Sequence, residues 1–509
     1  MQNLIEKTFA KPAESYWIGS TPATDYPSLK DNIRTDILIV GGGITGLLNA
    51  YLLQREGFDV VLIDSFRIAM STSGHTTAKI TSLHDLKYSK LIKKIGRDGA
   101  SGYGRINEQA ISLLENIITE NHISCDFSQQ ANYVYTLDEK FLSQIEDEVS
   151  AAQLLELPAS FETALDLPFQ VKGAVCFKNQ AQFHPRKFLL RLAEIFEQNG
   201  GHIFENTTAV DIHQDKQCKT STREGFCIVS DKVIIASHFP FYDGGGFYSA
   251  RMFPQRSYAL AVKASLKLRG GMYISYEEPI RSIRTQPLED QEQLLIIGGE
   301  HHKTGDDDHE QEHYRSLIHY AEDTFKAVEI PYRWSAQDYT AMNEIPLIGH
   351  ITGSKLNIFL AAAYQKWGMT TSTVSAIIIR DILTKGKSEA EAIFTPSRFT
   401  PAASAKNFIK ENLNVAGSLI SGKLQALPQD ITLEPGEGKK LSFNGKKAGA
   451  YRDMDGSYYI VDATCKHLGC EVRWNSAEKS WDCPCHASRY SFDGTVLEGP
   501  ALKPLDRLL

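Results

Sequence analysis

The chain has 509 residues, 42% of them hydrophobic and 23% charged, with a formal net charge of −8. That length exceeds what one hydrophobic core organises, so two or three domains are expected, and the composition excludes a collagen-like, coiled-coil or disordered chain. The acidic balance and the lack of a long basic run argue against nucleic acid or an acidic membrane surface as the main partner.

The N-terminus, MQNLIEKTFAKPAESYW, has no basic region followed by an apolar core, so no secretory leader is expected. The most apolar runs, NIFLAAAY and VSAIII, are too short to span a bilayer, and the expected location is the cytoplasm. In that reducing compartment the scattered Cys125, Cys176, Cys218 and Cys227 read as buried thiols without a role. TDILIVGGGITGLLNAYLLQREGFDVVLID (Thr35–Asp64) reads as strand, glycine turn, helix and strand, a βαβ unit that implies a parallel sheet. Residues 85–165 read as mainly helical and residues 200–300 as rich in strands. A helical pattern returns at 309–328, NIFLAAAY reads as a buried strand, and GMTTSTVSAIIIRDIL as the helix after it. FTPSRFTPAAS, with two prolines and small polar residues, reads as a linker. From about 425 onward the pattern changes to short strands, Gly and Asp turns and two cysteine boxes, the mark of a separate small β domain.

Gly41, Gly43 and Gly46 fit G-x-G-x-x-G. The first permits a tight turn, the second admits a pyrophosphate close to the backbone, and the third lets helix pack on strand. A helix N-terminus then faces the phosphates. Asp64, 18 residues after Gly46, ends the next strand, where a carboxylate can bond a ribose hydroxyl. The fingerprint alone does not separate NAD from FAD, but no second strand–glycine–helix unit appears.

The ordered set GGGITGL…VLID, STSGHTTAKIT, FHPRKFLLRLAE, YTAMNEIPLIGH and AAAYQKWGMTTST resembles the FAD-dependent D-amino-acid oxidase/glycine oxidase superfamily over about residues 15–395. The resemblance implies a Rossmann-type FAD-binding domain (segments about 30–90, 165–250 and 335–395) with an interleaved β-rich substrate domain (about 90–165 and 250–335). It implies that Ser73, Gly74, His75, Thr76 and Thr77 run along the pyrophosphate and flavin. It also implies that Gly368, Met369 and Thr370 open a helix facing the flavin edge, where a helix N-terminus stabilises negative charge. The family oxidises a C–N bond and passes a hydride to the flavin. For a carboxylate-bearing substrate an arginine fork is the usual clamp, and Arg284 and Arg256, with Tyr258 as neighbour, lie in the implied substrate-domain strands. His184-Pro185 reads as a structural turn.

Four of the eight cysteines lie in CKHLGC (Cys465–Cys470) and CPCHASRY (Cys483–Tyr490). Cys465-x-His467, 15 intervening residues, and Cys483-x2-His486 suit a metal. Zinc is one occupant, although structural zinc sites favour C-x-x-C spacings; two Cys with two His is the ligand set of a Rieske [2Fe–2S] cluster. Both boxes resemble the Rieske family. The resemblance implies Cys465 and Cys483 on one iron, His467 and His486 on the other, and a disulfide between Cys470 and Cys485. It further implies hydroxyls of Ser488 and Tyr490 bonded to cluster and ligand sulfur, which raises the potential. EGPALKPL (498–505) matches the loop that covers the cluster. Ala487 departs from the usual Gly, and its methyl is expected to be tolerated only at negative φ.

The resulting expectation is α/β plus all-β: an FAD-dependent oxidoreductase to residue 395, a linker at 396–424 and a Rieske β-sandwich at 425–509. A small amine or amino acid reduces FAD, and electrons leave through the [2Fe–2S] cluster to an unknown acceptor. The alternative is a flavin/iron–sulfur electron carrier without an organic substrate of its own; a redox sensor is the third reading.

Overall fold

The computed structural model describes residues 2–305, 309–398, 427–428 and 431–509. The linker expected at 396–424 therefore falls outside the described residues beyond Arg398.

The first sheet is built on parallel pairing. Ile33–Val40 lies between Cys227–Ile235 and Val60–Ile63, with Ile358–Ala362 and His202–Phe204 beyond them. Both flanks of the glycine turn form as read: the burial of Ile37–Val40 is continuous, and helix Ile44–Arg55 packs on Gly368–Lys385 and Pro185–Gln198. His184 caps the last of these, its ring Nδ1 accepting from the Lys187 N–H at 3.2 Å with Pro185 in the first turn.

The second sheet runs in the order Ala327–Ala341, Met252–Ala264, Gln293–His302, Arg281–Pro287, Met272–Ser275, Ser128–Thr136, Gly173–Gln182 and Lys79–Ile80. Strand residues alternate between its faces. Ala259, Ala261, Leu294, Ile296 and Trp334 join the core shared with the nucleotide-type sheet. Tyr258, Leu260, Val262, Leu295 and Ile297 pack instead under helix Glu310–Phe325. One expectation is extended here and one changes. Residues 85–165 are mainly helical as read, through Tyr88–Glu120 and Leu142–Leu154, but they also carry two unexpected strands, Ser128–Thr136 and Ala159–Glu162. The segment boundaries also move: Gly173–Gln182 and Ala327–Ala341 belong to the second sheet, so the chain rejoins the first only at His202 and Leu347.

The C-terminal region pairs a three-stranded sheet, Gly438–Phe443, Lys446–Arg452 and Tyr458–Asp462, with a four-stranded one over Arg473–Glu498. Each cysteine box is a loop leaving one of these strands. No helix among the described residues is long and apolar enough to cross a membrane.

Candidate functional site

The glycine loop is shaped by close approach. A Cβ on Gly46 would lie 1.8 Å from the Gly41 carbonyl oxygen, and one on Gly41, at φ +115°, 2.5 Å from that of Ala236. Ser73 Oγ accepts from the Ile44 N–H at 3.0 Å, so the Ser73–Thr77 segment is tied to the start of the helix. Asp64 accepts from the Gly42 N–H at 2.6 Å and the Phe66 N–H at 2.8 Å. Burial pushes the Asp64 carboxyl up, and these two N–H groups oppose it. A carboxylate has further lone pairs, so room remains for a ribose hydroxyl.

Two tryptophans that the sequence reading passed over pin the same segment. Trp17 Nε1 donates to the Thr76 carbonyl at 2.7 Å and Trp334 Nε1 to that of His75 at 2.8 Å. Helix Gly368–Lys385 begins without a side-chain cap, and Met369 is buried. The Thr370 hydroxyl accepts from the Thr81 N–H (2.8 Å) and donates to the Thr81 carbonyl (2.9 Å), fastening the helix start to the end of strand Lys79–Ile80.

The three substrate-side candidates are corrected. Arg256 and Tyr258 share the face turned away from the nucleotide-type sheet. Arg256, 1% exposed, donates to Glu478 Oε2 at 3.3 Å, with Glu498 Oε2 at 3.8 Å. The Tyr258 hydroxyl meets His302 Nε2 at 3.0 Å. Arg284 does face the shared core but has no accessible surface. It lies over the Trp17 ring (5.1 Å to the centroid) and donates to Gln286 Oε1 at 2.6 Å and the Phe183 carbonyl at 3.3 Å. Burial pushes its guanidinium down to about 9, against the pull of Asp126. It braces Trp17, which braces Thr76.

Two further charged groups are Asp338 and Lys366. Asp338 shares the face of Trp334, two alternations along the strand. Thr340 bridges Tyr364 in antiparallel sense, and the Gln365 N–H donates to the Tyr339 carbonyl at 3.0 Å. Past that bridge the chain turns, and Lys366 lies near enough to Asp338 for each charge to act on the other. Asp338 is half-buried and Lys366 is exposed. Burial pushes the Asp338 carboxyl up to about 7, with Lys366 opposing.

In the C-terminal region the two boxes converge. The Tyr490 hydroxyl lies 3.3 Å from Cys465 Sγ and accepts from the Lys466 N–H at 3.0 Å. Ser488 Oγ accepts from the Ala501 N–H at 3.0 Å, which draws the covering loop down. The rings of His467 and His486 stand perpendicular with centroids 4.9 Å apart. Cys470 and Cys485 form the disulfide, with Cα atoms 6.5 Å apart. His486 Nδ1 is buried and has no hydrogen-bond partner among the described residues. An orphaned imidazole nitrogen beside two free thiols, Cys465 and Cys483, is a donor set that fits iron. Ala487 is corrected: its φ is +60°, not negative. The turn over-determines it, since the Ala487 N–H donates to the Cys483 carbonyl and the Cys483 N–H to that of Ser488, both at 2.9 Å.

The FAD dependent oxidoreductase family (DAO) matches residues 36–382. The chain belongs to that family. A Rieske [2Fe-2S] domain matches residues 424–508, so the oxidoreductase is fused to a domain of the kind that binds such a cluster. YhfW of Bacillus subtilis, named as a Rieske 2Fe-2S iron-sulfur protein, is 42% identical over 509 residues, covering 99% of each chain. Gamma-glutamylputrescine oxidoreductase of Escherichia coli is 24% identical over 70% of this chain and 85% of its own. The oxidoreductase fold superposes on glycine oxidase from Geobacillus kaustophilus with a TM-score of 0.61 at 17% identity, over 72% of this chain and 99% of that one. The family binds FAD, and the glycine cradle that a single Cβ would fill fits that group.

Proposed function

We propose that this oxidoreductase oxidises the C–N bond of a small amine or amino acid in the cytoplasm, and that the electrons pass through the cluster to a one-electron acceptor. The observation that carries the reading is the charged pair Asp338 and Lys366, with Asp338 on the strand face of Trp334, which holds the Ser73–Thr77 segment. When bound, FAD supplies hydride acceptance and the cluster supplies a one-electron exit. Asp338 binds the substrate ammonium and, with its carboxyl held near neutrality, takes its proton. Lys366 binds a substrate carboxylate as a point charge, in place of an arginine fork. Names of relatives point the same way: gamma-glutamylputrescine and glycine both carry an amine.

The test is an anaerobic screen of amines and amino acids against the purified protein, following the flavin absorption band. A compound with a carboxylate is expected to bleach the band in the wild type. Lys366→Met should raise the concentration needed by about 10- to 100-fold, the worth of one charged hydrogen bond. Unchanged behaviour of that variant, or no bleaching by any amine, sinks the reading and favours an electron carrier without an organic substrate.

A further inference from the structure

Strand Ala327–Ala341 has two working faces. Its even residues Trp334 and Asp338 share the face turned toward the Ser73–Thr77 segment. Its odd residues Ser335, Gln337 and Tyr339 look at the cluster domain. Tyr339 donates its hydroxyl proton to the carbonyl of His486, a cluster ligand, at 3.1 Å. Gln337 Nε2 donates to the Ala487 carbonyl at 3.0 Å and to the Tyr339 hydroxyl oxygen at 3.1 Å. Such a chain polarises each bond in turn. On the other side of Tyr339, the His238 ring stands edge-on at 4.9 Å, and His238 Nδ1 lies 3.2 Å from the hydroxyl of Thr72, next to Ser73. Phe239 adds a ring 6.2 Å from that of His467 and 5.1 Å from that of Tyr339.

Further contacts cross the interface. Arg256, Ser335 and Tyr314 of the oxidoreductase part surround Glu478, and Tyr314 donates to Glu478 Oε1 at 3.2 Å. Gly305 lies so close to the second box that a Cβ would meet the Pro484 Cα and N at 2.8 Å. Gln337, Tyr339 and Ser488, at the centre of this seam, are all buried.

We propose that the cluster domain is held in this docked position as its working position, and that Thr72, His238 and Tyr339 form the contact linking the flavin-side segment to the cluster ligand His486. The proposal rests on the reading that electrons move between the two sites. Per event one electron leaves reduced flavin and one ferric iron becomes ferrous; no bond forms or breaks, and Tyr339 keeps its proton. Tyr339, Gln337 and Arg256 are positioning residues.

The test uses full-length holoenzyme and no substrate, so it stays separate from the amine question. Flavin is photoreduced anaerobically by a light flash, and cluster reduction is followed by its visible absorption. Backbone hydrogen exchange of residues 483–489 is measured in parallel. In the wild type the rate is expected to be indifferent to added sucrose, and 483–489 to be protected. Tyr339→Phe should slow cluster reduction about tenfold, with the cluster's EPR spectrum unchanged. Arg256→Met should raise exchange at 483–489 and make the rate fall as viscosity rises. A wild-type rate that falls in proportion to viscosity, or a Tyr339→Phe protein with the wild-type rate, overturns the proposal.

Discussion

Alanine at Gly46 is expected to strip the protein of its flavin while the cluster stays. The added Cβ would sit 1.8 Å from the Gly41 carbonyl oxygen and 3.3 Å from the Ile39 side chain. The first obstacle is backbone, so no rotamer change relieves it. Either the helix Ile44–Arg55 moves off its strand or the turn at Gly41 opens. Either movement withdraws the N–H groups at the helix start from where a pyrophosphate would rest. Overpacking of this kind costs about 1–3 kcal/mol or more in stability, and the lost cradle adds a loss of affinity. The cluster domain has its own core around Trp481, Tyr451 and Val461, so its colour should persist. Absorption spectra and acid-released flavin of the purified variant measure both. A Gly46→Ala protein with a full complement of flavin would contradict the close-packed cradle.

Glu478→Ala is expected to loosen the join between the two parts of the chain. Glu478 accepts from Arg489 Nη2 at 2.7 Å and Arg256 Nη1 at 3.3 Å, and these arginines are 7% and 1% exposed. Burial pushes the Glu478 carboxyl up, but Arg489 and then Arg256 outweigh it and hold the group down at about 2. Removing it leaves two buried cations sharing Glu498 and Asp482, a change that costs about 3–5 kcal/mol. The pH dependence follows from the sign. A carboxylate whose folded pKa is depressed contributes stability above its unfolded pKa, near 4.5, and loses it as pH falls through its folded value. The wild-type advantage over Glu478→Ala should thus be flat from pH 5 to 8 and shrink below about 4. Thermal unfolding across that range checks it. A penalty within the ~0.5 kcal/mol of an ordinary surface substitution would show the network to be idle.

What was legible in the sequence was local. The cysteine boxes place each ligand, the disulfide pair and Tyr490 within a few residues of one another, and the glycine fingerprint lies within one βαβ unit. The substrate side was not legible, because which face a strand residue presents depends on register. Arg256 and Tyr258 follow the wrong alternation, and a register shift between them on the pairing with Gln293–His302 is invisible in the sequence. Asp338 and Lys366 come near one another only through the tertiary approach of separate segments. Glu478 carries no sequence signal; its contact with Arg256 exists only once the cluster domain is seated. Ala487 shows the opposite error: the residue type suggested an extended or helical backbone, and hydrogen bonds on both sides of it impose a left-handed one.

The central claim is that one chain joins an amine-oxidising flavin site to its own cluster. The direct measurement is anaerobic addition of a bleaching amine or amino acid to the holoenzyme, with the flavin band and the reduced cluster's EPR signal recorded on the same sample. The account predicts that the cluster signal grows after the flavin band falls, without any added mediator. A flavin that bleaches fully beside a cluster that stays oxidised would contradict it.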